Sequence, residues 1–342
     1  MNTRIVKLLV CFFLFLVGTL AACDTGTGPQ QPVSTSAPAP LDRNTSTPVV
    51  LVHGFNAANT GSGQGFSCYG ANGFGPLINY LQGTHKILGK PVQWQGKMDT
   101  IKYYKQDVGC DSDLHTSATE SHCTNVYAAP TSDGTNNEDI RHLSCLLAWH
   151  IFDTYTAQNQ SIDIVAHSMG GVIVRYALYA VQHKVSGFPS QLYVIDIVTL
   201  ESPLAGVSDV KKFVENAASR LDIGGCTNCT QLNDLDSDGP LFQEVKNSPD
   251  WKNPQTSTDW TCIGSVGDPI VSSSSATDIV TAHRTIYTAP NPYDHGSVLV
   301  DTGDTEDKAI SYYDHKKGTW ENATNLPHSL HYVLYALARG DW

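Results

Sequence analysis

The sequence predicts an α/β protein with a mostly parallel central sheet and helices on both faces. Two observations carry this. Continuous apolar runs such as Val49-Val50-Leu51-Val52 read as strands buried on both sides, as in parallel sheets. Between residues 101 and 200 such runs alternate with segments of helical period, in the order strand, helix, strand, helix, strand. No internal repeat of fixed period is present. At 342 residues the chain is long enough to bury a large core without staples.

The elements follow in order. Val49–Val52 follows Pro48 and ends at His53-Gly54-Phe55. Seven glycines between Gly54 and Gly75 mark a long loop. Pro76–Leu81 starts a helix and Ile101–Tyr104 forms a strand. The polar stretch Asp107–Asn137, with Cys110 and Cys123, reads as a surface excursion held by a bridge. Asn137 is placed to cap a helix, with Glu138 and Asp139 favourable in its first turn. Ile140, Leu143, Leu147 and Ile151 recur at helical spacing. Ser161–Ala166 is a strand, and Gly171–Gln182 is a helix whose only charge is Arg175, so it should be nearly buried. Tyr193–Leu200 and Trp260–Ser265 are strands. Between the two, residues 203–252 hold a helix-like stretch, Val210–Leu221, and form a candidate cap. Leu330, Val333, Leu334 and Leu337 define a last helix that stops at Gly340.

The N-terminus belongs to processing rather than to the fold. Arg4 and Lys7 precede the apolar run Leu8–Val17, and small residues follow from Gly18 to Ala22. The run is short for a bilayer span. An uncut membrane anchor is the alternative. The ending Leu20-Ala21-Ala22-Cys23 resembles the bacterial lipobox, which implies acylation of Cys23 as the first mature residue and a chain held at the outer face of a bacterial membrane. Residues 24–47, rich in Pro, Ser, Thr, Gly and Gln, are expected to be a tether. The folded domain is expected over 48–342.

The formal net charge of −12 argues against a nucleic-acid partner and against electrostatic adhesion to anionic lipid. Seven cysteines remain beyond Cys23, an odd number, and an exported chain permits disulfides. Cys145, on an apolar helix, is the expected free thiol. Cys226-Thr-Asn-Cys229 is expected in a structural disulfide, ahead of a zinc-knuckle or redox role.

Ala166-His167-Ser168-Met169-Gly170-Gly171 lies between a strand and a buried helix. A serine there sits on a strained turn, which needs small residues two before and two after it, here Ala166 and Gly170. With His53-Gly54-Phe55 upstream, the chain resembles the α/β-hydrolase superfamily, in its secreted bacterial lipase and esterase branch. Alanine replaces the first glycine of the usual Gly-x-Ser-x-Gly, as in a subgroup of those lipases. The resemblance implies Ser168 as nucleophile and the Phe55 and Met169 amides as oxyanion donors. His53 and His167 are expected in supporting roles.

In that family the acid and then the base follow the serine in the chain. Asp268, in the turn Gly267-Asp268-Pro269 past a late strand, is the expected acid, with Glu201 as runner-up. His328, just before the last helix, is the expected base, with His295, His315 and His331 open. The long separation of His328 from Asp268 implies an insertion around Asp278–Asn325.

The implied activity is carboxylic ester hydrolysis through an acyl-enzyme, on lipid-like acyl esters. Acyl transfer by the same triad and a non-catalytic tethered binding protein are the alternatives. The reaction needs no cofactor, and no His-Glu-x-x-His or paired Cys-x-x-Cys spacing points to a metal.

Overall fold

A computed structural model of the chain describes residues 44–55, 65–127, 134–210, 213, 215, 229–254, 257–303 and 306–339. The expected leader, Cys23, most of the tether, Cys226 and most of Val210–Leu221 lie outside the described residues. The last residues of the expected tether are fastened to the domain. The Gln95 and Gly96 amides donate to the Thr45 carbonyl, and the Trp94 indole donates to the Thr47 carbonyl at 2.9 Å.

Strand β1 (Val49–Val52) is followed by helix α1 (Gly75–Gln82), a two-stranded ribbon of β2 (His85–Ile87) and β3 (Lys90–Val92), then β4 (Met98–Lys102) and β5 (Ser112–Asp113). Helices α2 (Ser117–Cys123) and α3 (Ile140–Thr154) lead to β6 (Ile162–His167), α4 (Met169–Gln182) and β7 (Val194–Leu200). Short helices α5 (Thr230–Leu235) and α6 (Pro240–Lys246) precede β8 (Asp259–Ser265), α7 (Ser273–Ala276) and β9 (His283–Thr288). The chain ends in the strands β10 (Lys308–Asp314) and β11 (Thr319–Leu326) and helix α8 (Ser329–Arg339).

Nine strands form one sheet in the order β11-β10-β9-β8-β7-β6-β1-β4-β5. Every pair from β9 to β5 is parallel, and β10 and β11 add an antiparallel hairpin at one edge. This is the expected mostly parallel central sheet with helices on both faces.

Strand β1 shows why the sequence reads as a doubly covered sheet. Its alternate residues point to opposite faces. Val50 and Val52 join a core with Leu143, Leu147, Val172 and Tyr176, beneath α3 and α4. Val49 and Leu51 join a second core with Leu77, Leu81, Leu330 and Val333, beneath α1 and α8. Each such side chain contributes about 1.5–3 kcal/mol on burial, so neither face tolerates a polar residue well.

Two expectations are corrected. The cap of α3 is Asp139, whose carboxylate accepts from the Arg141 amide, not Asn137. Cys145 is not free. It bridges to Cys123, tying α3 to α2, while Cys68 bridges to Cys110. The free thiol among the described residues is Cys262, buried in β8. An apolar helix hides a bridged cysteine as readily as a free one, so burial in the sequence pattern did not discriminate. Cys229 is disulfide-bonded, with its other half outside the described residues.

Candidate active site

Ser168 joins β6 to α4 at φ 55° and ψ −132°, a positive φ that a serine adopts only under constraint. The Ser168 amide donates to the Leu200 carbonyl at 3.0 Å, which fixes the turn to the end of β7. Crowding explains the small neighbours. A Cβ at Gly170 would collide with the Val52 and His53 carbonyls, and one at Gly54 with the Ser168 side chain. A Cβ at Gly171 would meet Ser202, a close approach that the elbow pattern does not specify. Ala166, fully buried, is small enough for the sheet side of the turn.

The structure brings Ser168, Asp268 and His295 together. The Ser168 hydroxyl lies 2.8 Å from His295 Nε2, and His295 Nδ1 lies 2.7 Å from Asp268 Oδ2. The tautomer that fits has Nδ1–H donating to the carboxylate and Nε2 accepting from the serine. Asp268 Oδ1 accepts from the Ile270 and Val271 amides at 2.7 and 3.1 Å. Burial pushes the Asp268 carboxyl up, but the hydrogen bond and charge of His295 and the two amides outweigh it and hold the carboxyl below its ordinary value.

His328 is not at this site, and here the expectation is corrected. It is buried just ahead of α8, edge-on to Tyr80 of α1 with ring centroids 4.8 Å apart. His331 faces the Tyr80 hydroxyl at 3.2 Å, and His315 Nε2 faces the Ala282 carbonyl at 2.9 Å. The expectation placed the base just before the last helix. In this chain the β10–β11 hairpin intervenes between the last parallel strand and that helix, and His295 sits on the loop directly after β9. That the histidine facing Ser168 precedes the hairpin was not legible in the sequence. The one available signal was Asp294-His295-Gly296-Ser297, a turn sequence following a strand.

The His295 loop is anchored at several points. The Asp294 carboxylate accepts from the Gly296 and Ser297 amides, and Ser265 donates to the Tyr293 carbonyl at 2.8 Å. His167 Nε2 donates to the His295 carbonyl at 2.7 Å. Burial, and then the neighbouring His295, lower the His167 pKa to about 3, so it is a neutral donor at ordinary pH.

Glu201, the alternative acid, is fully buried at the end of β7 with φ 46°. Burial comes first, and then the charge of Asp268, in raising the Glu201 carboxyl well above the carboxylate range. His295 is paired with Asp268, and Glu201 stands near Asp268 with its ionisation disfavoured by burial.

The expected oxyanion donors flank the serine. Met169 is the first residue of α4, so its amide has no intrahelical partner. Phe55 follows a His-Gly pair that is held firmly. Tyr103 OH donates to the His53 and Gly54 carbonyls at 2.6 and 2.8 Å. The His53 ring stacks between Phe66 and Tyr103, with Nε2 2.9 Å from Asp107 Oδ2. His53 therefore shapes the loop and does not face the serine. A cleft of about 520 Å³ opens beside Asp268, bordered by Val207, Phe213, Ile270 and Val271. Residues 205–209, Phe213 and Ser237 line one side of this cleft, which neither Ser168 nor His295 borders.

A protein-family model described as "Putative serine esterase (DUF676)" matches residues 96–236, a stretch that holds Ser168 but neither Asp268 nor His295. Among solved structures the chain is similar to the mature form of lipase BlEst2 from Bacillus licheniformis, at 14% identity and TM-score 0.41, covering 75% of this chain and 88% of that one. It is similar to the metagenomic carboxyl esterase MGS0156 at 12% identity and TM-score 0.41, covering 91% and 76%. It is similar to Aspergillus fumigatus lipase B at 14% identity and TM-score 0.41, covering 70% and 42%. No curated protein matches the sequence.

Proposed function

We propose that the protein is a serine carboxylic ester hydrolase in which Ser168 is the nucleophile, His295 the base and Asp268 the acid. One observation carries the reading: His295 spans Ser168 and Asp268 with hydrogen bonds of 2.8 and 2.7 Å at the end of a strained strand-to-helix turn. The family match over residues 96–236 supports it.

The chemistry follows from the geometry. Ser168 Oγ adds to the ester carbonyl carbon as its proton passes to His295 Nε2. Charge builds on the carbonyl oxygen, where the Phe55 and Met169 amides receive it; one such donor is worth about 3 kcal/mol. The ionised Asp268 stabilises the imidazolium that forms. His295 then protonates the departing alcohol, leaving an acyl-Ser168 ester. Water, deprotonated by His295, cleaves that ester and restores the serine. An alcohol in place of water would give acyl transfer by the same steps. Lipid-like acyl esters are the proposed substrates, and the cleft beside Asp268 has apolar side chains in Val207, Phe213, Ile270 and Val271 along with serines and aspartates.

The chain is further proposed to work outside the cytoplasm, anchored through an acylated Cys23. Bridges of the Cys68–Cys110 and Cys123–Cys145 kind persist in oxidising compartments, in keeping with export.

The test is a fluorophosphonate probe followed by peptide mass spectrometry, with a chain-length series of p-nitrophenyl esters. Labelling is expected at Ser168 alone, with turnover of the esters. A protein that neither reacts with the probe nor hydrolyses any ester of the series would favour a binding protein on a hydrolase fold.

A further inference from the structure

The surface excursion between β4 and α3 holds four side chains that the esterase chemistry does not use. His115 lies just ahead of α2 and Glu120 on it. Glu138 precedes α3 and His142 is in its first turn. They form a closed ring of alternating imidazole and carboxylate. His115 Nδ1 is 2.7 Å from Glu120 Oε1, and His115 Nε2 is 3.2 Å from Glu138 Oε2. His142 Nε2 is 3.4 Å from Glu120 Oε2 and 3.5 Å from Glu138 Oε1. One donor atom each from His115, Glu120 and Glu138 fits within a span of 4.8 Å.

From this ring we infer a binding site for one divalent transition cation of the zinc class, with His115, Glu120, Glu138 and His142 as its ligands. Three features favour a metal over a set of ordinary ion pairs. The first is burial without satisfaction. Glu138 is fully buried and His142 is 1% exposed, yet both Glu138 oxygens and His142 Nε2 have no hydrogen-bond partner among the described residues. Buried polar atoms left in that condition are rare and call for a missing partner. The second is spacing. A charge-assisted hydrogen bond runs at about 2.7–2.9 Å, whereas three of the four contacts are 3.2–3.5 Å. The contacts are therefore looser than direct ion pairs, and one donor atom each from His115, Glu120 and Glu138 can turn toward a common centre. The third is orientation. His142 Nδ1 donates to the Val126 carbonyl at 2.9 Å, which turns Nε2 toward the two carboxylates. A backbone carbonyl on the far nitrogen is how metal-binding imidazoles are oriented.

Two imidazoles with two carboxylates suit zinc, and disfavour calcium and magnesium, which take oxygen ligands. The net charge of two glutamates is cancelled by one divalent ion. The site is separate from the triad but joined to it mechanically. His115 Nε2 is 3.0 Å from the Tyr103 carbonyl, and the Tyr103 hydroxyl holds the His53-Gly54 turn. The Cys123–Cys145 bridge closes the same excursion beside it.

The test uses the untagged full chain, stripped with a chelator, and titrated with zinc chloride by calorimetry and by metal analysis. Uptake of one zinc per chain is expected, with a rise in melting temperature. Glu138→Gln and His142→Gln are each expected to weaken binding at least tenfold and to abolish that rise. Cobalt(II) gives a reading without substitution, through the intense visible bands of a four-coordinate ion. Absence of saturable uptake and of those bands overturns the proposal. So does uptake that persists in both variants, or that disappears with His295→Ala and places the ion at the triad.

Discussion

His295 and His328 make opposite predictions at the scale of single residues. Truncating His295 removes the acceptor for the Ser168 proton, and such losses cost roughly 10³–10⁶ in kcat. His295→Ala is therefore expected to fall to near background against p-nitrophenyl butyrate. His328→Ala opens a gap against Tyr80 but leaves the triad intact, so it should keep kcat within about tenfold and lower the melting temperature. A dead His328→Ala with an active His295→Ala would reverse the assignment. Glu201 makes a second contrast. Its carboxyl is raised well above the carboxylate range by burial and by Asp268. Above about pH 4.3 the unfolded chain ionises this group while the folded chain does not, so stability is lost as pH rises through that window until the folded carboxyl itself ionises. Glu201→Gln carries no such cost. The variant should melt about 2–6 °C higher than wild type at pH 7, with the gap closing near pH 4 and activity within about tenfold. A large loss of activity in melting-competent Glu201→Gln would show that the carboxyl itself takes part in turnover.

At the scale of elements, the site depends on how closely β1 approaches the turn between β6 and α4. The two strands pair in register, Val52 opposite Ala166, and the loop after β1 then passes directly over the serine. Gly54 lies at the contact, where a methyl group would collide with the Ser168 side chain. Gly54→Ala should therefore shift either the serine rotamer or the Phe55 amide. We expect kcat to drop about 10²–10³-fold with a smaller effect on KM, and a circular-dichroism spectrum unchanged from wild type. Kinetics like those of wild type would mean that the loop relaxes without moving the donor.

At the scale of the whole molecule, His167 couples the catalytic turn to acid stability. It sits between β6 and the His295 loop, buried, with a pKa near 3. An unfolded chain takes up a proton at this residue below about pH 6.5, and the folded chain does not until about pH 3. Its contribution to stability is thus whole above the upper limit and is lost as pH falls through that window. His167→Asn keeps a donor for the His295 carbonyl and has nothing to protonate. Its acid-unfolding midpoint should lie about 0.5–1 pH unit below that of wild type, measured by tryptophan fluorescence. An unchanged midpoint would assign the acid transition to other groups.

The sequence by itself determined the sheet and the strained turn that carries Ser168, the proposed nucleophile. Apolar runs report burial on both faces, and Ala166, Gly170 and Ser168 report a turn that only small neighbours permit. These are local demands, met within a few residues, so they are written locally. Asp268 was legible for the same reason, as a turn residue past a late strand. The base was not. A histidine reaches the serine from a loop whose place depends on which strand is the last parallel one, and the β10–β11 hairpin hides that in the chain. Only the tertiary structure chose His295 over His328. It likewise decided that Cys145 is bridged, since a disulfide needs two cysteines within reach in space, and that His115, Glu120, Glu138 and His142 face one another across an excursion closed by that bridge. Pairings between distant segments are fixed by how the layers pack, and no local pattern carries them.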